Sequence, residues 1–234
     1  MTKPKRFFGR DPKENLKKVL ASLDSKKETP EPQPKPKIII PEGLDKEDYI
    51  YLPSRNLYIA KQKTHFNKNW YQSHESLHKE DARMLTIPEF LDFLEALKNG
   101  NDEFKNIYNE ITEKRDPWRA EHLDAYFTNN NGLKISYNHR IINGKLVPQN
   151  TESLDSCVME ECYADLSSLN KQGLPAKKSR LQKYKQGDNV YFWHPIDEAV
   201  AGFDAGSDWV GLFCGWNPRG SGSDLGVRQA REKI

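Results

Sequence analysis

Three cysteines are the residues of this sequence most suited to redox or metal chemistry. Cys157 and Cys162 are five residues apart, whereas Cys214 lies far along the chain. A zinc knuckle places two residues between its paired cysteines, so this spacing does not match one. An odd number of cysteines also forms no paired disulfide framework and indicates synthesis in a reducing cytoplasm. We therefore expect structural cysteines, with no metal site and no cofactor.

Two histidines that fall on one predicted helix are the other candidates for metal chemistry. His74 and His78 are four residues apart with a glutamate between them, which resembles the spacing of a zinc-binding helix. The sequence shows no third ligand, so we expect both to be partly exposed helix residues. We interpret His122, His139 and His194 as hydrogen-bonded histidines and not as ligands. No Gly-rich phosphate loop opens a helix either, and we predict no catalytic residue.

A stretch near the C-terminus, residues 200–231, carries a different pattern, in which two sets of positions interleave. Alternate residues of an extended chain point to opposite faces, so one set can hold a scaffold while the other faces outward. The outward set is small or polar with one aromatic member, and it shares no catalytic chemistry. Its members are Asp204, Gly206, Gly211, Phe213, Gly215, Asn217, Gly220, Gly222 and Asp224.

Burial distinguishes the two sets. We expect all nine outward residues to be exposed, because a position that accepts many side chains cannot lie in a packed core. Leu212, Leu225 and Val227 should be buried, with Cys214 and Ser223 at least partly so. Two large side chains of the same stretch, Trp216 and Arg219, join the expected ligand-binding residues, since Trp and Arg dominate binding energetics. Trp209 is expected to lie mostly in the core.

This pattern resembles the variable region of proteins that are diversified by diversity-generating retroelements. In that family, template adenines are randomised, mostly in AAC or AAT codons for Asn. Such codons can become Asn, Asp, Gly, Ser, Tyr or Phe, but not Lys, Glu, Gln, Met or Trp. All nine outward residues are permitted outcomes, and Asn217 is still Asn. The alternative interpretation is a Gly-rich and Ser-rich surface loop between two strands.

The elements upstream of this stretch begin with a predicted strand hairpin, 49–52 and 57–60, across a turn. Asn69 is placed to cap a helix, and Thr86 with Glu89 forms a capping box for a second helix that ends at Lys98. Further along, a stripe at 104–111 predicts a helix, and Asp116 is placed to cap another. Strands follow at 133–137 and 140–147, with a turn at Asn143-Gly144, then a Lys-rich surface loop over 170–188 and a core strand at 190–193.

Two of these segments carry a second resemblance. Residues 83–90 read Arg-Met-Leu-Thr-Ile-Pro-Glu-Phe and follow a hairpin and an Asn-Trp-Tyr helix. This order is similar to the start of a C-type lectin-like domain, in the branch shared by formylglycine-generating enzymes and retroelement-diversified proteins. The usual form there is Arg-Leu-Pro-Thr, two residues, then Glu-Trp or Glu-Phe, so this chain lacks one Pro. Residues 225–231 are similar to the terminal Gly-Phe-Arg-Val strand of that branch.

The resemblance covers about residues 45–100 and 190–231 and implies an α+β, C-type lectin-like domain over 38–234. Residues 101–189 would then be a family-specific insertion, and 200–231 the variable region. Residues 1–37 form a tail with a short predicted helix and a Pro-rich linker. The tail has eleven Lys or Arg against five Asp or Glu, so its net charge is +6. Because the whole chain has a net charge of +2, the remainder has a net charge of −4. The body therefore offers no basic face for nucleic acid.

The resemblance implies a non-enzymatic display protein that binds a protein or another cell-surface ligand. Proteins of this family often belong to bacteria, archaea or their viruses, so display on a virion or a cell surface is open beside the cytoplasm. The N-terminal helix is expected to dock on a partner or on another copy, or else to be a solvated tail. No apolar run is long enough for membrane insertion, and no secretory signal is visible. Two alternatives remain, which are an oxidase of the formylglycine-generating type and a structural phage or viral module without a variable site.

Overall fold

The computed structural model describes residues 46–233, all of which belong to the compact unit Ile40–Ile234. The expected tail and its helix lie outside the described residues. The domain is mostly sheet with three α-helices, so it belongs to the mixed α+β class that was expected. No helix in the described range has the length and apolar character needed to cross a membrane.

Three helices and eleven strands follow a short 3-10 turn at Lys46–Asp48. The helices are α1 (Trp70–Lys79), α2 (Ile87–Lys98) and α3 (Asp102–Thr112). The strands are β1 (Tyr49–Leu52), β2 (Leu57–Thr64), β3 (Arg83–Met84), β4 (Arg119–Asn129), β5 (Leu133–Ile142), β6 (Lys145–Ser153), β7 (Cys162–Asp165), β8 (Asn189–Trp193), β9 (Ala199–Ala205), β10 (Val210–Trp216) and β11 (Leu225–Glu232). The main sheet runs β1-β2-β11-β4-β9-β10-β8-β7, with the β5–β6 hairpin attached to β4 and β3 to β11.

The local signals near the N-terminal end of the domain are confirmed. Strands β1 and β2 pair antiparallel as a hairpin. The Asn69 side chain accepts the Gln72 N–H at 2.9 Å and so begins α1. The Glu89 carboxylate accepts the Thr86 N–H at 2.9 Å, which begins α2 one residue later. The hairpin turn at Asn143-Gly144 and the strand at 190–193 are also observed.

The helix expected to begin at Asp116 is wrong, because the chain enters β4 at Arg119. This strand lies between β11 and β9, in parallel and antiparallel pairing respectively, and is buried on both faces. The sequence of β4 contains several polar residues, so it shows no hydrophobic pattern that would predict a buried strand. The segment expected as an insertion, 101–189, thus contributes a central strand to the body of the sheet.

A buried ion network fixes β4 against β11. The Glu121 carboxylate is fully buried and accepts Nη2 of Arg119 at 2.5 Å and Nε of Arg228 at 3.1 Å. Burial alone would raise the pKa of Glu121, but the Arg228 and Arg119 guanidiniums outweigh it and hold this pKa at about 2. The two strands are therefore joined by charged side chains as well as by their backbones.

The sheet presents two different faces to its surroundings. On one face, Phe203, Leu212 and Cys214 belong to the main core with the apolar side of α2, which includes Phe90 and Phe93. On the other face, α1 covers β4 and β11 through a smaller cluster around Trp70 and Val227. The remaining part of this second face, over β8, β9 and β10, is covered by aromatic side chains.

Candidate functional site

Strand β10 confirms the predicted alternation of faces. Val210, Leu212 and Cys214 point into the main core, and Gly211 and Phe213 lie on the opposite face. Leu212, Cys214, Leu225 and Val227 are buried as expected. The exposure expected for the outward set is another matter, since it depends on what covers the second face.

Four of the nine outward residues are buried, and for them the expected exposure is wrong. They are Asp204, Gly206, Gly211 and Phe213. Phe213 is only 8% exposed, because its ring stacks against Trp193 at 6.1 Å and Trp216 at 6.1 Å. A Cβ at Gly211 would lie 2.6 Å from the Tyr191 carbonyl oxygen, so a larger side chain there would displace β8.

Asp204 is the most constrained of these residues. The residue is 4% exposed, and its carboxylate accepts the indole N–H of Trp118 at 2.9 Å and that of Trp209 at 3.1 Å. Burial raises the pKa of Asp204 to about 6, and the two indole hydrogen bonds counteract it only in part. Asp204 therefore holds two tryptophans in place and is not itself a surface residue.

The two tryptophans that Asp204 holds are exposed. Trp118 and Trp209 each show 37% of their surface to solvent, so the core position expected for Trp209 is wrong. Trp216, expected at the surface, is half-buried with its ring 6.3 Å from that of Trp118. We call the group formed by Trp118, Tyr191, Trp193, Trp209, Phe213 and Trp216 the aromatic patch.

Four of the other five outward residues lie in the connection between β10 and β11, which we call the 217–224 loop. Asn217, Arg219 and Gly220 are exposed, and Gly222 and Asp224 are half-buried, as is Gly215 at the end of β10. Ser223, expected to be at least partly buried, is exposed, because the chain is not extended here and the strict alternation is lost. The accessible half of the expected site is therefore this loop.

The backbone of the 217–224 loop is tied to the scaffold, while its side-chain hydrogen bonds are local: Asn217 Oδ1 accepts the Arg219 N–H at 2.9 Å, and Ser223 Oγ donates to Asp224 Oδ2 at 2.8 Å. Asn67 N–H donates to the Gly222 carbonyl at 3.0 Å, and Trp70 N–H donates to that of Pro218 at 3.1 Å. Lys63 Nζ donates to the Asp224 carbonyl at 2.6 Å. Burial, together with the Arg119 charge, lowers the pKa of Lys63 to about 8. These bonds order the loop without using the side chains that face solvent.

The loop and the aromatic patch form one continuous surface. A Cβ at Gly222 would lie 4.0 Å from the Trp118 ring, and one at Gly206 would lie 3.6 Å from it. Both distances are ordinary contacts, so these two glycines border Trp118 and each position can hold a Cβ without a clash. Sequence reasoning missed Trp118, Tyr191 and Trp193, although an aromatic residue at every second position of 191–193 is a signal for one shared face.

The cysteines give little support to metal or redox chemistry. Cys214 is buried in the main core, Cys157 and Cys162 are half-buried, and all three are free. Burial raises the pKa of Cys157 to about 11, and burial with the nearby Cys157 raises that of Cys214 well above its usual range. Buried protonated thiols are poor nucleophiles and poor metal ligands.

Two histidines of the sequence analysis meet under α1. His74 was expected to be partly exposed but is buried on the inner side of α1. His139 is hydrogen-bonded as expected, with its Nδ1 2.5 Å from Asp124 Oδ1. Asp124 was not singled out at all, since a lone Asp within a polar stretch gives no signal. His78 is exposed, as the sequence suggested.

Comparisons of the chain with protein-family models, with curated proteins and with solved structures found no match.

Proposed function

We propose that this protein is a ligand-binding display protein, whose binding surface consists of the 217–224 loop and the exposed part of the aromatic patch. The observation that carries the proposal is the loop itself, whose backbone is hydrogen-bonded to the scaffold while the hydrogen bonds of its side chains stay within the loop. A preordered backbone loses little entropy on binding, so such a loop can present many different side chains at similar cost. The ligand is a protein or another cell-surface molecule, and the exposed tryptophans supply its apolar contacts.

We further propose that the scaffold is C-type lectin-like and that a retroelement diversifies the loop. In support, the two segments that carry the resemblance lie side by side, since β11 pairs with both β2 and β3. The tolerant positions are Asn217, Arg219, Gly220, Gly222 and Asp224. Asp204, Gly211 and Phe213 belong to the scaffold, because any other residue there disturbs the aromatic patch or β8.

A display library tests this division without knowledge of the ligand. One library randomises Asn217, Arg219, Gly222 and Asp224, and a matched library randomises Asp204, Gly211, Phe213 and Leu212. We expect most members of the first library to resist protease on the display host and most members of the second to be cleaved. Equal survival of both libraries would contradict the proposed surface.

An oxidase of the formylglycine-generating type is the competing hypothesis. The observation in its favour is that Cys157 packs against the buried core that contains Cys214. If the unchanged protein has an oxidase activity and the Cys214→Ala variant loses it, the oxidase hypothesis replaces the display hypothesis. If the variant keeps that activity, the oxidase hypothesis is wrong.

A further inference from the structure

A second polar cluster lies on the same face of the sheet, under α1 and apart from the proposed binding surface. It joins His74 of α1, Asp124 of β4 and His139 of β5, and all three side chains are buried. One ligand atom from each residue lies within 4.8 Å of the other two. Three different elements thus converge on one point.

The hydrogen bonds of this cluster leave one nitrogen unused. Asp124 Oδ1 lies 2.5 Å from His139 Nδ1, and Asp124 Oδ2 accepts the His139 backbone N–H at 2.9 Å. His74 Nε2 lies 3.7 Å from Asp124 Oδ1, too far for a hydrogen bond, and has no hydrogen-bond partner among the described residues. A buried polar atom without a partner is costly and calls for a specific explanation.

The surroundings hold these side chains in place and leave an entrance. The Trp70 ring packs edge-on against His74 at 4.3 Å and His139 at 4.9 Å, and its Nε1 donates to the Leu123 carbonyl at 2.9 Å. His74 and His139 also line a cavity of about 560 Å³, with His78 in the same wall. Two of the three residues of the cluster thus border open space, and Asp124 lies behind them.

We propose that His74, Asp124 and His139 bind a divalent transition-metal ion of the zinc type. Two imidazoles and one carboxylate are a donor set that suits zinc and neighbouring transition metals better than calcium or magnesium. An ion at this point would occupy the free Nε2 of His74 and explain its burial. This site is independent of the proposed display function.

The sequence around His74 adds a motif but not its usual chemistry. Residues 74–78 read His-Glu-Ser-Leu-His, the His-Glu-x-x-His pattern of zinc helices. Here His78 is exposed, and Glu75 does not line the cavity. The geometry therefore supports metal binding, with His139 and Asp124 in the place of the second helical histidine, and does not supply a general base.

Binding requires a small local opening and meets moderate electrostatic opposition. Zinc ligands at about 2.0–2.2 Å from the ion are roughly 3.3 Å from each other, so His139 Nδ1 and Asp124 Oδ1 must separate by about 1 Å. Three arginines line the cavity. Arg83 pairs with Glu89 and Glu232, and Arg140 pairs with Glu232, whereas no ion pair of Arg231 is seen among the described residues. The charge of Arg231 therefore opposes a cation, and Asp81 and Glu232 in the same wall offset part of that opposition.

The test uses the full chain, stripped with a chelator and titrated with Zn²⁺ and with Co²⁺ as a spectroscopic substitute. We expect one equivalent to bind with a Co²⁺ visible spectrum of nitrogen and oxygen ligands, and Zn²⁺ to raise the melting temperature. The His74→Gln variant should lose at least about 100-fold in affinity. It removes no hydrogen bond of Nε2, so we expect it to fold.

Matched variants separate this site from the surface histidines. His78→Gln and the buried His122→Gln should bind Zn²⁺ as the unchanged protein does, and His139→Gln should lose affinity like His74→Gln. The proposal is overturned if the folded protein binds no Zn²⁺, or if His74→Gln binds it unchanged. It is equally overturned if His78→Gln loses affinity while His139→Gln does not, since the ion would then sit on the helix surface.

Discussion

The carboxylate of Asp204 and the indole nitrogen of Trp118 are 86 residues apart in the chain and 2.9 Å apart in the fold. The same carboxylate holds Trp209, so one buried acid orients two exposed tryptophans beside the 217–224 loop. This arrangement turns a residue expected to vary into a fixed part of the surface. It also couples the surface to pH, because the acid is held in an apolar site.

Replacement of Asp204 by Asn should remove a pH dependence of stability. Its folded pKa, about 6, exceeds its ordinary value of 3.8, so the group stabilises the fold below about pH 4 and loses that contribution as pH rises through 6. Between pH 4 and pH 7, the free energy of unfolding of the unchanged protein should therefore fall by up to about 3 kcal/mol relative to that of Asp204→Asn. Urea unfolding of both proteins at several pH values measures this difference. A difference that stays flat with pH would contradict the assigned role.

Phe213 distinguishes the observed packing from the exposure expected from alternation. Because its ring is enclosed by Trp193 and Trp216, Phe213→Asn should cost about 3–5 kcal/mol, comparable to Leu212→Asn. The control Arg219→Ala, in the exposed loop, should stay within about 0.5 kcal/mol of the unchanged protein. Thermal or urea unfolding gives all three values. If Phe213→Asn were as silent as the control, Phe213 would be a surface residue after all.

Lys63 should govern the order of the 217–224 loop. Its ammonium group donates to the carbonyls of Asp224 and Ala120, and bonds to charged groups contribute about 1.5–3 kcal/mol. Lys63→Met should therefore speed amide hydrogen exchange in this loop by about 10- to 100-fold. Lys61→Met is the control on the same strand, since Lys61 pairs with Glu103 instead. Equal exchange in the two variants would show that the loop is ordered without Lys63.

Glu121 should be among the most sensitive charged residues of the sheet. Glu121→Gln leaves the buried Arg228 without its carboxylate and leaves Arg119 with Glu110 alone, so it should cost about 3–5 kcal/mol. The exposed ion pair of Glu103 with Lys61 provides the contrast, and Glu103→Gln should cost less than about 1 kcal/mol. Because the pKa of Glu121 is lowered to about 2, its contribution should persist above pH 4.5 and fade as pH falls toward 2. Similar costs for the two variants would mean that solvent reaches the Glu121 network.

Local signals in the sequence predicted local structure well. The Asn69 cap, the Thr86–Glu89 capping box and the β1–β2 turn depend on residues within a few positions of each other, and all are observed. The alternation of β10 was also correct, because the period of a strand does not depend on its partners.

Features that depend on distant partners were not predictable in this way. In strand β4, Glu121 is paired with Arg228 on β11 and Asp124 with His139 on β5. Because these partners are distant in the chain, the sequence alone suggests that Glu121 and Asp124 are surface residues. Phe213 is buried because β8 contributes Trp193, and a single segment cannot reveal that cover. The predicted exposure is correct for Asn217 and Gly220, which no other element covers.

The most direct test of the central claim is the sequence variation of this gene within one natural population, read together with its neighbouring DNA. We expect a reverse transcriptase gene and a near copy of the segment coding for residues 200–231, with adenines at the variable codons. Substitutions should concentrate at Asn217, Arg219, Gly220, Gly222 and Asp224, and should spare Asp204, Gly211 and Phe213. A uniform distribution of substitutions with no near copy would contradict diversification, and free variation at Asp204 and Phe213 would contradict the surface assigned here.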